Sequence, residues 1–343
     1  YNICVERVAH IHFRKEPFLM KRFATLFLAL VLVFCLLPLQ GFAAGSSSKE
    51  NLMLRPENLS EDDLDKRGDL GFWRLRSVHR KDIKKITFQD SMRDVPRDTW
   101  DVSAKRDGSV VAWIRDGEVF VAADGKITMN ETMSYMFAGM EKLTEIDFND
   151  AVDTSGVEYM DHLFQGCKKL TDLDLSCFDT SNVTDMTSMF YNCASLEELD
   201  LSNFDTAKVK SMKNMFTASS NLEELDLSSF ETPCLTDMKA MFDSCRGLEE
   251  VDLSNFNTAK VKDMSNLFGG CALLEELDLS SFDTGRTQYM NNMFYGCKGL
   301  RKLDISGFTS KKVGGMVRMF SYVGNLDEFD CNDSKIAEAY RKR

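Results

Sequence analysis

Residues 178–202 read FDTSNVTDMTSMFYNCASLEELDLS, and this stretch contains the whole of a pattern that recurs along the chain. Its Met-Phe pair is the easiest marker, because a Met-Phe or Leu-Phe pair returns once after 27 residues and then six times after 26 residues. The pairs are Met136-Phe137, Leu163-Phe164, Met189-Phe190, Met215-Phe216, Met241-Phe242, Leu267-Phe268, Met293-Phe294 and Met319-Phe320. A fixed period of this length is typical of a repeat architecture.

Two further columns keep the same register. A methionine lies three residues before every pair, and an aspartate between apolar neighbours recurs once in each repeat. These aspartates are Asp147, Asp174, Asp200, Asp226, Asp252, Asp278, Asp304 and Asp330. Because several residue types recur with the same spacing in eight copies, residues 131–330 form a repeat array.

Each repeat has one segment of strand pattern and one of helical pattern. Residues 196–202 alternate apolar and polar side chains, which predicts a half-buried strand with Leu199 and Leu201 facing inward. Residues 182–190 carry apolar side chains at i, i+3, i+6 and i+7, which favours a short helical turn. One repeat cannot bury its apolar face alone, but stacked repeats can. We therefore predict a right-handed, leucine-rich-repeat-like solenoid of about eight ribs with strands ~4.8 Å apart.

The motif F-D-T-S-N-V-T-D-M-x-x-M-F-x-x-C-x-x-L-x-x-L-D-L-S of residues 178–202 resembles the repeat of BspA-like leucine-rich-repeat surface proteins of bacteria, specifically the Mycoplasma-type lipoprotein repeat. The segment TWDVSAKRDGSVVAWI at 99–114 is similar to the unit that precedes such arrays. The resemblance implies a solenoid on the cell surface or outside the cell. It also implies a role in adhesion and in contact with host or matrix.

The N-terminal region has the pattern of an export signal. Met20 is followed by two basic residues, a long apolar run and Gly41-Phe42-Ala43, which together predict a signal peptide over 20–43. An uncleaved membrane anchor is the alternative for the apolar run. We expect residues 1–19 to lie upstream of the true start, and the mature chain to be secreted or on the cell surface without a stable transmembrane domain.

Between the leader and the array, a polar linker is expected at 44–81 and a β cap at 82–130, and residues 331–343 are assigned as a C-terminal tail. Three Asp-Gly pairs, at 107–108, 116–117 and 124–125, flank two short apolar runs, which indicates a small meander of hairpins. Trp73, Trp100 and Trp113 are expected to form the core of this cap, with a carbohydrate-stacking surface as the alternative.

Composition restricts the chemistry. A net charge of −12 disfavours nucleic acid as a partner, and His79 and His162 are the only histidines beyond the leader. Cysteines stand at one repeat position, with Ser219 replacing one of them, at Cys167, Cys193, Cys245, Cys271 and Cys297. One thiol per repeat without a CxxC pair predicts a column of small buried side chains rather than a metal site or disulfides. Cys177 and Cys234 fall in corner segments and are expected to be more accessible.

The outward strand positions carry the most distinctive chemistry. Fifteen of these sixteen positions are carboxylates, and Lys302 is the exception. The predicted ligand-binding face consists of Asp174, Glu198, Asp200, Glu224, Asp226, Glu250, Asp252, Glu276 and Asp278. Like charges on neighbouring strands are destabilising, so the face requires hydrogen bonds, counterions or a function to compensate. A structural role of the aspartates is one interpretation, and a face for basic or cationic partners, with a divalent cation such as calcium bridging, is the other.

These features predict an adhesion or interaction protein that binds a protein or glycan ligand on host or neighbouring cells through its acidic face. No catalytic, cofactor-binding or resident metal site is predicted. A structural surface spacer without a specific ligand is the alternative function. A secreted enzyme is disfavoured, because no Ser-His-Asp, Cys-His or metal-ligand spacing stands out.

Overall fold

The computed structural model describes residues 79–343. The expected leader at 20–43, residues 1–19, Trp73 and residues 44–78 of the linker lie outside the described residues. The strands are β1 (Lys85–Gln89), β2 (Trp100–Asp101), β3 (Val110–Arg115), β4 (Glu118–Ala123), β5 (Ile127–Thr128), β6 (Glu145–Asp147), β7 (Val152–Asp153), β8 (Asp172–Leu173), β9 (Glu224–Leu225), β10 (Glu250–Val251), β11 (Glu276–Asp278), β12 (Lys302–Asp304) and β13 (Glu328–Asp330). A 3-10 turn at Arg80–Asp82 precedes them and helix α1 (Ser334–Arg341) follows them. Within 79–343 no helix is both long enough and apolar enough to cross a membrane.

The N-terminal strands form a sheet in the order β2-β3-β4-β1-β6-β8. β3 and β4 make the antiparallel hairpin that Asp116-Gly117 predicts, and both turn residues have positive φ, 54° and 84°. The region is not a simple meander, however, because β1 lies parallel between β4 and β6.

β1 takes this place because its sequence matches the strand of a repeat. Ile86 lies opposite Ile146 of the first repeat, and the ring of Phe88 stacks on that of Phe148 with centroids 5.4 Å apart. Phe88 also meets Phe137 edge to face. The N-terminal strands and the first repeat therefore share one sheet and one core.

Where the strands of neighbouring repeats pair, they are parallel and in register. β6 pairs with β8, β9 with β10, and β11 with β12 and then β13. The predicted alternation is present at residues 196–202, where Leu199 and Leu201 are buried. These residues form no strand of their own, and the Glu223 N–H joins the two repeats by donating to the Glu197 carbonyl (3.2 Å).

The segment predicted as a short helical turn, 182–190, is a series of hydrogen-bonded turns instead. Ser188 N–H donates to the Lys213 carbonyl of the next repeat, whereas Met189 N–H donates back to Met186 within its own repeat. Ser188 and Asn192 have positive φ, 54° and 57°, which a right-handed helix does not allow. Positive φ at the third residue of a four-residue turn is the mark of a type II turn. The apolar spacing of a helix is met here by turns whose alternate amides bond to the next repeat.

The phenylalanines of the eight Met-Phe and Leu-Phe pairs stack in one continuous column. Neighbouring ring centroids from Phe137 to Phe320 lie 5.4 to 6.1 Å apart, with the planes within 17° of parallel. All eight rings are buried, and the methionine and leucine columns pack around them in one core cluster. The repeat period is therefore the period of this stack.

Residues 331–343, assigned from the sequence as a tail, contain helix α1. Asp333 caps the helix by accepting the N–H groups of Lys335 and Ile336. Ile336 is fully buried, and the Tyr340 ring meets those of Phe320 and Phe329. The helix thus packs on the last ring of the phenylalanine stack.

Candidate binding surface

The nine carboxylates of the predicted face are all exposed and occupy outward positions of successive repeats. We call them the acidic strand surface: Asp174, Glu198, Asp200, Glu224, Asp226, Glu250, Asp252, Glu276 and Asp278. Buried leucines such as Leu199 and Leu225 lie between them and anchor the opposite side of the chain in the core. The alternation predicted from the sequence positions this surface.

Strand register places like charges next to each other. Glu224 lies opposite Glu250, and Asp278 lies opposite Asp304. Carboxylates directly opposite each other destabilise a sheet, and salt screens exposed charges only in part. Some property of the surface has to offset this repulsion.

The aspartates have a structural role. Oδ1 of each accepts the backbone N–H of the serine two residues later, at 2.8 to 2.9 Å, in a hydrogen bond that closes an Asx turn. Hydrogen bonds from the side chain and backbone of Ser176 lower the pKa of Asp174, and those of Ser280 lower the pKa of Asp278. Aspartate at this position therefore turns the chain out of the strand.

The glutamates differ from the aspartates. In the middle repeats Glu198, Glu224 and Glu250 are exposed, and their carboxylates enter no ion pair or hydrogen bond among residues 79–343. The glutamates at the same repeat position towards the two ends of the array are paired with lysines. Lys302 Nζ lies 2.8 Å from Glu276, and Lys85 Nζ lies 2.5 Å from Glu145. All nine carboxylates are charged at neutral pH, but the three central glutamates are the ones that no ion pair or hydrogen bond among residues 79–343 engages.

A groove of about 510 Å³ lies at the N-terminal end of the surface and is lined by Glu145, Asp147, Asp150, Asp172 and Asp174, among others. Ion pairs partly neutralise it, because Lys126 binds Asp150 and Lys85 binds Glu145. In the described part of the chain, no three His, Cys, Asp or Glu side chains are grouped as a metal site.

The cysteine column is buried, as the sequence predicts, and its five thiols are free. Each thiol donates to the carbonyl of the phenylalanine one repeat earlier, as in Cys245 to Phe216 at 3.0 Å. Ser219 makes the same bond with its hydroxyl, to Phe190 at 2.8 Å, which explains why serine replaces cysteine there. Burial raises the pKa of Cys167 and of Cys297 to about 12, so these thiols are poor nucleophiles at neutral pH. Cys177 and Cys234 are half-buried.

In the described part of the chain, Trp100, Trp113 and His162 all make packing contacts. Trp113 is buried in a small cluster with Val111 and Ala122 and stacks on Phe120 at 5.2 Å. Trp100 is half-buried against the same cluster. His162 is half-buried and stacks on the ring of Tyr135.

The repeat array is the part of the chain that matches a known protein family. Residues 131–251 and 236–338 match the family described as "Mycoplasma protein of unknown function, DUF285", and together these matches cover more than half of the chain. The chain belongs to the DUF285 family. No curated protein and no solved structure matches it. As a DUF285 protein it carries a Mycoplasma-type repeat, and the family description assigns no function to that repeat.

A structural role of the aspartates is one interpretation of the sequence, and the Asx turns support it, but sequence reasoning did not identify the middle glutamates as the unpaired positions. The signal was present, because a serine follows most of the aspartates by two residues, as in Asp200 and Ser202, and the glutamates have no such partner. The sequence placed Lys302 among the outward positions but did not predict that Lys85 lies beside Glu145. Lys85 lies outside the repeats, and only the pairing of β1 with β6 places it beside Glu145.

Proposed function

We propose that this DUF285 protein is an exported bacterial surface protein of the BspA-like leucine-rich-repeat kind, in which residues 131–330 form a right-handed solenoid. Its function is adhesion: the acidic strand surface binds a basic protein segment, or a glycan carrying cationic groups, on host, matrix or neighbouring cells. The parallel pairing of repeats and the continuous phenylalanine stack support the solenoid. The signal pattern at 20–43 supports export.

The observation that carries this proposal is the column of Glu198, Glu224 and Glu250. The aspartates beside them close turns, so the fold itself accounts for those charges. The glutamates have no such bond, and two of them lie directly opposite each other. Repulsion between these glutamates lowers the stability of the fold, and no contact within the described residues offsets it. We therefore attribute their presence to a ligand that they bind.

A binding role is favoured over an enzymatic one by the chemistry of the thiols. An active cysteine needs a depressed pKa, whereas burial raises the pKa of Cys193 and Cys271 well above its usual range. These side chains belong to the core.

The test is a glutamine scan of the glutamate column in the full chain. The variant Glu198→Gln/Glu224→Gln/Glu250→Gln keeps the shape of the surface and removes three charges. It is compared with Glu131→Gln/Glu158→Gln/Glu231→Gln, which removes the same charge from exposed positions elsewhere. Both are screened against arrays of matrix proteins and glycans, with and without calcium. We expect the column variant alone to lose its ligands, and equal retention in both variants would reject the proposal.

The role of the aspartates favours a second candidate, a structural surface spacer. If the surface has no ligand, the column variant should bind as the unchanged protein does, and loss of the repulsion between the glutamates should make it slightly more stable. Charge reversal at Asp200, Asp226 and Asp252 cannot separate the two functions, because it would also break the turns that these residues close.

A further inference from the structure

Charge is distributed unevenly along the repeats. Residues 171–283 contain 22 carboxylates and 7 Lys or Arg, a net charge of −15. Residues 284–330, which complete the array, contain 4 carboxylates and 7 Lys or Arg, a net charge of +3. The C-terminal part of the array therefore has the opposite sign to the rest of it, and opposite fields favour association between molecules.

Most of these basic groups are available to a partner. Two of them are engaged, since Lys302 binds Glu276 at 2.8 Å and Arg301 lies 3.9 Å from Asp327. The other five enter no ion pair among residues 79–343, and all are exposed: Arg286, Lys298, Lys311, Lys312 and Arg318. Arg286 and Lys312 occupy the same position of adjacent repeats.

Exposed aromatic and apolar side chains lie on the same two repeats. Tyr289 is 47% exposed, Val317 67% and Tyr322 68%, and the Tyr322 ring meets that of Tyr295 edge to face at 5.2 Å. The hydrogen bonds of the turns join these positions, because Tyr289 forms a parallel bridge with Gly315 and the Val317 N–H donates to Asn291 Oδ1 (2.9 Å). We call Tyr289, Tyr295, Val317, Arg318 and Tyr322 the basic tyrosine surface.

This combination is typical of a protein-binding surface. Tyrosine and arginine are the side chains most enriched where binding energy is concentrated, and a rigid aromatic ring gives contact area at a low entropic cost. A basic rim selects an acidic partner and speeds its encounter. The partner should therefore be an acidic protein surface with exposed carboxylates.

The acidic strand surface of the same chain has this chemistry. Its central glutamates are exposed and without partners. The tyrosines lie on the turn segments and the glutamates on the strand segments, so a contact between the two surfaces joins two different chains. Because the surfaces differ, the contact is heterologous: in a dimer, one chain keeps its acidic strand surface free and the other keeps its basic tyrosine surface free.

We propose that the basic tyrosine surface of one copy binds the acidic strand surface of a second copy and joins the chains head to tail. This inference rests on the proposed role of the acidic strand surface as a binding surface and names a second copy of the chain as one of its partners. Ligands from other cells and the basic end of another copy compete for the same glutamates.

Sedimentation velocity of the full chain tests the proposal. At 50 mM NaCl the weight-average sedimentation coefficient should rise with protein concentration, and at 500 mM NaCl the rise should disappear. Two variants, Lys312→Glu/Arg318→Glu and Tyr322→Ala, should each weaken association at least ~10-fold. The control Lys208→Glu/Lys260→Glu makes the same charge reversal at exposed positions of the acidic segment and should not weaken it.

A charge swap makes the test specific. Glu224→Lys/Glu250→Lys should also lose self-association, and mixing it with Lys312→Glu/Arg318→Glu should restore a complex that neither forms alone. Circular dichroism checks that each variant is folded. A chain that stays monomeric at 50 mM NaCl, or a control that weakens as much as the test variants, overturns head-to-tail association. The adhesion proposal survives that result, because its own test measures capture of external ligands.

Discussion

Thr180 and Asp205, in adjacent repeats, are joined by a reciprocal pair of hydrogen bonds. Thr180 Oγ1 donates to the Asp205 carbonyl at 3.0 Å and accepts the Asp205 N–H at 2.8 Å. The same exchange links Thr154 to Asp179 and Thr284 to Thr309. One buried hydroxyl thus satisfies both backbone groups of the next corner, which gives the threonine of the F-D-T motif its role.

Replacing Thr180 with valine keeps the shape of the side chain and removes both bonds. The N–H and carbonyl of Asp205, which lie at a half-buried corner, then lose this partner, so we expect the free energy of unfolding to fall by about 2 kcal/mol. Urea unfolding followed by circular dichroism measures the change. Thr171→Val is the control, because its hydroxyl is exposed and makes one long bond (3.4 Å). Equal losses in the two variants would contradict the role of the corner threonine.

The cysteine column predicts that serine is tolerated and alanine is not. Ser219 already occupies one position and makes the same bond, so Cys245→Ser should change stability by less than ~1 kcal/mol. Cys245→Ala removes one of the two donors to the Phe216 carbonyl, which keeps the Ser219 N–H, and opens a small gap, which together should cost about 2 kcal/mol. Thermal unfolding of both variants measures this, and a larger loss for serine than for alanine would reject the hydrogen bond as the reason for the column.

Asp243 should make stability depend on pH. Burial raises the pKa of this half-buried carboxyl to about 6. Its folded pKa lies above the unfolded value, so its contribution to stability is full below pH ~4 and is lost as the pH rises through 6. Asp243→Asn should therefore match the unchanged protein at pH 4 and exceed it at pH 7, by about 1 kcal/mol once solvent screening is allowed for.

The control for this pH dependence is Asp174→Asn. Hydrogen bonds from Ser176 lower the pKa of Asp174, so its charged form stabilises the fold and that contribution is lost as the pH falls through the lowered value. The Asp174 variant should thus be no more stable than the unchanged protein at pH 7. Melting temperatures between pH 3.5 and 7.5 compare the two, and a pH-independent difference for Asp243→Asn would refute the assignment.

The repeat register, the inward leucines and the outward carboxylates could be predicted from the sequence because each follows from a period. Leu199 faces the core because strand side chains alternate, and the phenylalanines stack because each repeat brings one to the same place. These inferences need only the spacing of residues.

The turn segments could not be predicted in the same way. The spacing of Val183, Met186 and Met189 suits a helix, but it also suits a chain of turns that buries the same side chains. The difference lies in backbone amides, such as the Ser188 N–H, that bond to the next repeat, and residue spacing does not record where an amide bonds. Similarly, the division of the acidic surface into structural aspartates and unpaired glutamates depends on hydrogen-bond partners rather than on charge.

Helix α1 should stabilise the C-terminal end of the array. Tyr340 meets the rings of Phe320 and Phe329, and its hydroxyl accepts the Leu326 N–H at 3.0 Å. Because repeats contact mainly their neighbours, loss of this contact should loosen the last repeats first. Tyr340→Ala should lower stability by about 2 kcal/mol, and hydrogen exchange should speed up in β12 and β13 while β1 and β4 keep their protection. Glu338→Ala, which removes only an exposed ion pair with Lys342 in the same helix, should leave exchange in β13 unchanged. Faster exchange spread evenly over all repeats would mean that the array unfolds as one unit and that α1 does not act as a local cap.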